Sequence, residues 1–227
     1  MPADYDVITF DCYGTLIDWE TGIRESFAAL AEQAGVPVDP RVATAAYLEI
    51  EPEVEAAARF HSYREVLAET ARRAAAEVGW PMDTAAAARF AASLPAWPPF
   101  ADTNPALERL AAAGYRLGIL SNVDDDLLAQ TLRHFAVEFP VVVTAQQVRA
   151  YKPSHAHFLT ARERIGGLRW LHAAQSHFHD IAPAGHLGLP AVWVNRSGEP
   201  LPPGEPPPLA EVRSLAGLAE WLSSRES

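Results

Sequence analysis

Four places in the sequence carry polar side chains of the kinds that catalyse reactions on small anionic molecules. They are Asp11 with Thr15, Ser121 with Asn122, Lys152, and Asp180. A carboxylate such as Asp11 can act as a nucleophile and form a covalent intermediate. The ammonium of Lys152 would keep that carboxylate ionised and offset the charge of an anionic substrate. The hydroxyl and amide groups could hold oxygen atoms or a departing anion, and Asp180 would fix Lys152 or position a water.

Each of these residues also has an ordinary structural interpretation. An Asp at the end of a strand commonly forms a turn or caps a helix, and Ser121-Asn122 is also typical of an ordinary loop. A Lys-Pro pair after a strand is commonly a solvated turn. Their occurrence together, in order along one chain, favours the catalytic interpretation.

The elements that would position these residues are short apolar segments that alternate with helical patterns. Strands are predicted at residues 5–10, 115–120, 141–144 and 191–194, and helices at 105–113, 124–135, 154–164 and 183–187. This alternation predicts an α/β fold whose core is a Rossmann-like, doubly wound parallel sheet. Because the carboxyl ends of parallel strands meet at one edge of such a sheet, we expect the four sites to share one pocket.

Residues 19–94 do not fit the alternation. The stretch is rich in Ala, Glu and Arg, lacks a convincing strand, and carries apolar residues at helical spacing, such as Ile23, Phe27 and Leu30. We therefore predict a helical cap domain at 19–94, inserted into a catalytic core of 1–18 and 95–227. Such a cap would close over the strand ends and exclude water, and an exposed apolar helix face on it would suit a homodimer.

Composition limits the partners. The 227 residues carry a net charge of -11 and no Lys/Arg-rich run, which argues against a nucleic acid or an anionic membrane surface. A single cysteine excludes an internal disulfide framework and a cysteine-only metal site. No apolar run reaches the ~18 to 20 residues that span a bilayer, and no secretory signal is visible. We expect a soluble, cytoplasmic protein that acts on a small molecule.

The four sites resemble the four motifs of the haloacid dehalogenase superfamily. Residues 10–16 (FDCYGTL) are similar to its first motif, 120–122 (LSN) to its second, and 151–153 (YKP) to its third. His179-Asp180, with 185–190 (GHLGLP), resembles the fourth. The matches follow the family's order over nearly the whole chain, and the helical insertion falls where the family places its cap.

One position distinguishes between branches of that superfamily. Its phosphatases carry a second Asp two residues after the nucleophile, as acid and base for the leaving group, but this chain has Tyr13 there. An alcohol leaving group needs a proton donor, whereas a halide does not. The chain therefore resembles the 2-haloacid dehalogenases, in which the Asp displaces halide from carbon and water then cleaves the resulting ester to give a 2-hydroxy acid. That branch usually works without magnesium, in keeping with a fourth motif whose only acidic residue is Asp180.

The resemblance implies roles for individual residues. Asp11, Thr15, Ser121, Lys152 and Asp180 are expected to be catalytic, and Cys12, Tyr13, Asn122, Arg64, His177 and His179 to bind substrate, with no metal or other cofactor. Cys12 would contribute its backbone N–H, because its side chain should point away from the pocket.

Three departures from the family bear on the substrate. The arginine that meets the substrate in the first cap helices is absent from 46–49 (AYLE), and Arg59 or Arg64 could replace it. His177 aligns with an asparagine, and Phe158 stands where those enzymes have a tyrosine.

The sequence leaves two other functions open. One is a magnesium-dependent phosphatase of a small phosphorylated metabolite, against which Tyr13 argues. The other is a non-catalytic binding protein, against which the intact pair of Asp11 and Lys152 argues. Six histidines between 154 and 188 also raise a structural metal, although no pair has the spacing of a zinc helix motif with a partner acid.

Overall fold

A computed structural model of the chain describes residues 4–56 and 59–225. The chain divides into two compact units. The first comprises the residues up to Ile17, Pro99–Asn122 and the residues from Arg133 onward; the second comprises Asp18–Pro98 and Val123–Leu132. The short segment Val123–Leu132 lies outside the insertion of 19–94 that the sequence predicts. No helix in the described parts of the chain has the length and apolar character needed to cross a membrane.

The first unit is built on a parallel sheet. Within the described residues the strands are β1 (Val7–Phe10), β2 (Arg116–Ser121), β3 (Val141–Thr144), β4 (Trp170–Ala174), β5 (Ala191–Val194) and β6 (Ala210–Val212), in the order β3-β2-β1-β4-β5-β6. Every neighbouring pair is parallel. The direction of winding reverses between β1 and β4, which is where doubly wound sheets bind ligands. The predicted α/β, Rossmann-like fold class is confirmed.

Ten helices are described. They are α1 (Trp19–Ala34), α2 (Pro40–Glu55), α3 (Tyr63–Glu77), α4 (Thr84–Ser93), α5 (Thr103–Ala112), α6 (Asp125–Thr131), α7 (Ala145–Val148), α8 (Ala156–Ile165), α9 (Ala182–His186) and α10 (Leu215–Arg225). Helix α8 packs on β2 and β3, and α10 packs on α5, β5 and β6. A π-helical turn, His177–Ile181, lies between β4 and α9.

Burial on both faces explains the composition of the central strands. Strands β1, β4 and β5 are buried along their whole length, so apolar residues follow one another instead of alternating with polar ones. Close packing also requires glycine in β2: a Cβ at Gly118 would lie 2.8 Å from the backbone oxygen of Val141 and 3.0 Å from Cγ2 of Thr9.

The second unit consists of helices whose starts are capped by side chains. Asp18, Asp39 and Asp83 cap α1, α2 and α4, and Ser62 forms a capping box with Glu65 at α3. Aromatic rings fill its interior; they are Phe27, Tyr47, Phe90 and Trp97.

Within the second unit, the carboxylate of Asp124 connects segment Val123–Leu132 to the start of α3. Asp124 is 5% exposed and accepts hydrogen bonds from the backbone N–H groups of Tyr63 (3.0 Å) and Arg64 (2.9 Å). The first N–H groups of a helix have no acceptor within the helix, so this carboxylate satisfies two of them and is itself stabilised by the positive end of the α3 dipole.

The sequence did not predict four of these elements, which are β4, β6, α7 and α10. Strand β4 lies at the centre of the sheet between β1 and β5, and β6 and α10 follow the proline-rich stretch that ends at residue 208. The predicted strands and helices of the core are present, with ends that differ by a few residues.

Candidate active site

The ammonium of Lys152 lies between two buried carboxylates. Its Nζ donates to Asp11 Oδ1 at 2.9 Å and to Asp180 Oδ1 at 2.7 Å. A third bond, of 2.9 Å, goes to the backbone oxygen of Leu120 at the end of β2. All three ammonium hydrogens therefore have acceptors, although Lys152 is only 1% exposed. The structure brings together the ends of β1 and β2, the loop after α7 and the π-helical turn after β4.

Asn122 holds the backbone of Lys152 in place. The Asn122 side-chain oxygen accepts from Lys152 N at 2.7 Å, and its amide nitrogen donates to Lys152 O at 3.2 Å. Two bonds to one residue fix both the position and the orientation of that residue. The second motif thus positions the lysine of the third, a contact that sequence reasoning did not foresee.

A directed series of hydrogen bonds orients Asp11. The indole N–H of Trp193 donates to Gln175 O at 2.7 Å, and Gln175 N donates to the Thr15 hydroxyl at 2.9 Å. That hydroxyl then donates to Asp11 Oδ2 at 2.9 Å. Because Lys152 bonds the other oxygen, both oxygens of Asp11 have a donor and the carboxylate plane is fixed.

Burial and charge act against each other at the two carboxylates. Burial raises the pKa of Asp11 above its ordinary value; the charge of Lys152 opposes the rise and the charge of Asp180 adds to it. For Asp180, burial is outweighed by the charge of Lys152 and by hydrogen bonds from His172 and Lys152, which lower its pKa to about 2. Burial would lower the pKa of Lys152, but the two carboxylates raise it above its ordinary value. The lysine is therefore a permanent cation in the site.

Two buried oxygens of the site have no hydrogen-bond partner among the described residues. They are Oγ of Ser121, at the end of β2, and Oδ2 of Asp180. A buried polar atom without a partner costs free energy, so such atoms are candidates for binding substrate or water. Nε2 of His177 is a third atom of this kind; its ring lies edge-on to Trp193, with 5.3 Å between centroids.

Two histidines beside this centre were not predicted as site residues. His172, in β4, bonds Asp180 Oδ1 through Nε2 at 3.0 Å. His157, in α8, bonds the backbone oxygen of Ser121 at 3.2 Å, and burial together with the nearby Lys152 lowers its pKa to about 3. His157 belongs to the run of six histidines between 154 and 188, but no spacing in the sequence distinguishes it as a site residue.

Four other residues were predicted to bind substrate, namely Cys12, Tyr13, Arg64 and His179. Arg64 lies in α3 of the second unit, where its guanidinium pairs with Asp126 at 2.7 Å. His179 contacts Ser176 within the π-helical turn. Tyr13 is half-buried and Cys12 is fully buried, next to the nucleophile candidate.

Six histidines lie between 154 and 188, where the sequence raised a structural metal. Among residues 4–56 and 59–225, no three His, Cys, Asp or Glu side chains lie together so that they could hold a metal ion. The two carboxylates of the site instead share Lys152.

The sequence of this chain matches a protein-family model and several known proteins. A model of the haloacid dehalogenase-like hydrolase family matches residues 5–174. (S)-2-haloacid dehalogenase H-109 of Pseudomonas putida is 27% identical over 218 residues, which cover 95% of this chain and 96% of that protein. (S)-2-haloacid dehalogenase 4A of Burkholderia cepacia is 33% identical over 134 residues, 57% of this chain and 56% of that protein.

Solved structures share the fold. The L-2-haloacid dehalogenase of Xanthobacter autotrophicus with chloropropionic acid covalently bound superimposes with a TM-score of 0.82 at 20% identity, covering 96% of this chain and 98% of that one. A HAD-hydrolase of Bacillus subtilis bound to magnesium gives 0.81 at 20% identity, with 96% and 99% covered. These structures agree with the fold, and because the family model matches residues 5–174, most of the sequence, the chain belongs to the haloacid dehalogenase-like hydrolases.

Proposed function

We propose that the protein hydrolyses 2-haloalkanoic acids to 2-hydroxy acids and halide through an ester on Asp11, without a cofactor. The observation that carries the proposal is the ammonium of Lys152 bonded to both Asp11 and Asp180. It supplies a fixed positive charge beside the nucleophile, where an anionic substrate must approach. The relatives named for 2-haloacid dehalogenation, one of which spans 95% of this chain, support the same reaction class.

In the first step an oxygen of Asp11 attacks the carbon that carries the halogen. A carbon–oxygen bond forms, the carbon–halogen bond breaks, and the halide leaves with the bonding electrons. No proton is transferred, because halide is a very weak base, and this agrees with Tyr13 in place of an acid. Lys152 and Thr15 hold the carboxylate in one orientation, so less entropy is lost when the reactive geometry is reached.

In the second step water attacks the carboxyl carbon of Asp11. The bond between that carbon and the ester oxygen breaks, and the departing oxygen takes one proton from the attacking water to give the 2-hydroxy acid. The other proton of that water is lost to solvent, so Asp11 returns to the carboxylate form. Oδ2 of Asp180 is buried and has no partner in the described part of the chain, so we assign it the hydrogen bond that orients this water. The free hydroxyl of Ser121 is assigned to the substrate carboxylate.

Halide release from 2-chloropropionate tests the proposal. Wild type should release chloride with or without a chelator, and Asp11→Asn should release none. Asp6→Asn is the matched control, since Asp6 is a surface carboxylate of the same unit, paired with Arg169; it should keep wild-type activity. A single turnover in ¹⁸O-labelled water should place the label in the peptide that contains Asp11.

Two outcomes would contradict the proposal. Unchanged chloride release by Asp11→Asn would exclude the ester. Magnesium-dependent phosphate release from an aryl phosphate, without chloride release from the haloacid, would favour a phosphatase instead.

Arg64 and the homodimer remain predictions. If Arg64 binds the substrate carboxylate, Arg64→Met should raise KM for 2-chloropropionate with little change in kcat. A homodimer would sediment at twice the 24.7 kDa mass of the chain.

A further inference from the structure

A row of hydrogen bonds runs through the centre of the sheet to Asp180. The indole N–H of Trp170 donates to the Thr9 hydroxyl at 2.8 Å, and that hydroxyl lies 2.8 Å from Nδ1 of His172. Nε2 of His172 then lies 3.0 Å from Asp180 Oδ1. Thr9, His172 and Asp180 are fully buried, so these partners are not exchanged for bulk water.

The two ends of the row fix the direction of the bonds that they make. An indole nitrogen can only donate, so the Thr9 oxygen accepts from Trp170 and its hydrogen is free to point to Nδ1 of His172. A carboxylate can only accept, so Nε2 of His172 must carry the hydrogen that reaches Asp180. Every hydrogen in the row has an acceptor when His172 is neutral and protonated on Nε2.

This row determines how Asp180 presents its two oxygens. Lys152 and His172 both donate to Oδ1, and Oδ2 receives no bond from the described residues. With Lys152 as its only donor, the carboxylate could rotate about its terminal bond, a torsion with a broad profile. A second donor, approaching Oδ1 from another direction, fixes the plane.

We infer that His172 is a positioning residue for the second half-reaction: it holds Asp180 so that Oδ2 faces the water that cleaves the ester. The inference rests on the proposed function. Because Asp180 is assigned to water and not to the displacement of halide, loss of this contact should slow ester hydrolysis and leave ester formation nearly unchanged. A purely structural role would lower both steps together.

Two substitutions at one position separate these cases. The amide nitrogen of His172→Gln can occupy the place of Nε2 and still donate to Asp180, whereas the shorter His172→Asn cannot reach it. We expect His172→Asn to slow ester hydrolysis about tenfold or more, the size of one lost hydrogen bond to a charged group, and to accumulate the ester of Asp11 in rapid-quench mass spectrometry. His172→Gln should hydrolyse the ester within about threefold of wild type, and His186→Gln, at an exposed histidine, should match wild type.

A second pair acts on the histidine without replacing it. Thr9→Val removes the hydroxyl that bonds Nδ1, while Thr9→Ser keeps it. The valine variant should accumulate ester and the serine variant should not, which tests the inference even if His172→Asn does not fold. Equal slowing of both half-reactions in His172→Asn or Thr9→Val, or a glutamine variant as slow as the asparagine one, would overturn it.

A measurement without substrate distinguishes failure of this inference from failure of the proposed function. Nitrogen-15 NMR of the imidazole of His172, assigned by its absence in His172→Gln, should show a hydrogen on Nε2 and a bare Nδ1. A hydrogen on Nδ1 alone would overturn the positioning role. If wild type releases no halide, the proposed dehalogenation and the assigned half-reaction fail, whichever nitrogen carries the hydrogen.

Discussion

Replacing Lys152 by methionine should destabilise the protein strongly at neutral pH. Methionine keeps an unbranched stem of similar length but removes the charge, so Asp11 and Asp180 lose their shared cation and Leu120 O loses its donor. Removing one partner of a buried ion pair costs about 3–5 kcal/mol, because the remaining charge is buried without compensation. For a chain of this size that corresponds to a fall in Tm of about 6–20 °C.

The pH dependence of this loss has a definite sign. Without the cation, two buried like charges raise the folded-state pKa values of Asp11 and Asp180 above the unfolded value of about 3.9. The folded variant then binds more protons than the unfolded chain, so its stability rises as the pH falls from 7 to 5. In wild type the pKa of Asp180 is lowered to about 2, so the stability it contributes is retained above about pH 5 and lost at lower pH. The gap in Tm between variant and wild type should therefore narrow on acidification.

Calorimetry of wild type, Lys152→Met and a surface control tests this reasoning. Arg225→Met removes an ion pair with Asp4 in which both side chains are nearly half exposed, and should lower Tm by less than about 4 °C. If Lys152→Met loses no more than this control at pH 7, or if its deficit is as large at pH 5 as at pH 7, the account of a charge-balanced centre is wrong.

Three further predictions concern the proposed nucleophile and the sheet. Thr15→Val removes the donor to Asp11 Oδ2 and the acceptor of Gln175 N, so the rate of halide release should fall about 10- to 100-fold. The far-UV circular dichroism spectrum should be unchanged. Full activity of the variant would contradict the role of that hydroxyl. Because burial raises the pKa of Asp11, this proposed nucleophile should be protonated at a higher pH than an ordinary Asp. The rate of single-turnover halide release should therefore fall on acidification with a midpoint above pH ~3.9, and a midpoint below that value would refute the shift. Gly118→Ala puts a methyl group 2.8 Å from Val141 O and should cost about 1–3 kcal/mol of unfolding free energy, measured by urea denaturation; a neutral effect would show that the sheet can relax there.

The sequence predicted the candidate catalytic residues better than the residues that position them. Asp11, Lys152 and Asp180 could be placed together because parallel strand ends converge and because these residue types match one reaction. The contact between Asn122 and Lys152 could not be predicted. It depends on where two loops meet, and the spacing of residues in the sequence gives no information about that position. The roles of Arg64 and His179 in substrate binding remain predictions.

Strand β4 and His172 escaped prediction for the same reason. The strand reads Trp170-Leu171-His172-Ala173-Ala174, with a polar residue in the middle and two residues of low strand propensity at its end. A buried histidine is tolerated at the centre of the sheet only because Thr9 and Asp180 bond both its nitrogens. Those partners are 163 positions before it and 8 after it, so the pattern around the strand carries no sign of them.

The lysine at the centre of the site is also the only lysine in the sequence; every other basic side chain of the Lys/Arg class is an arginine. Protein made with isotopically labelled lysine therefore carries one labelled side chain, and its ammonium touches both acidic residues of the proposed reaction. Its resonance would follow the charge of the centre through each stage of turnover, with no other side chain contributing to the spectrum.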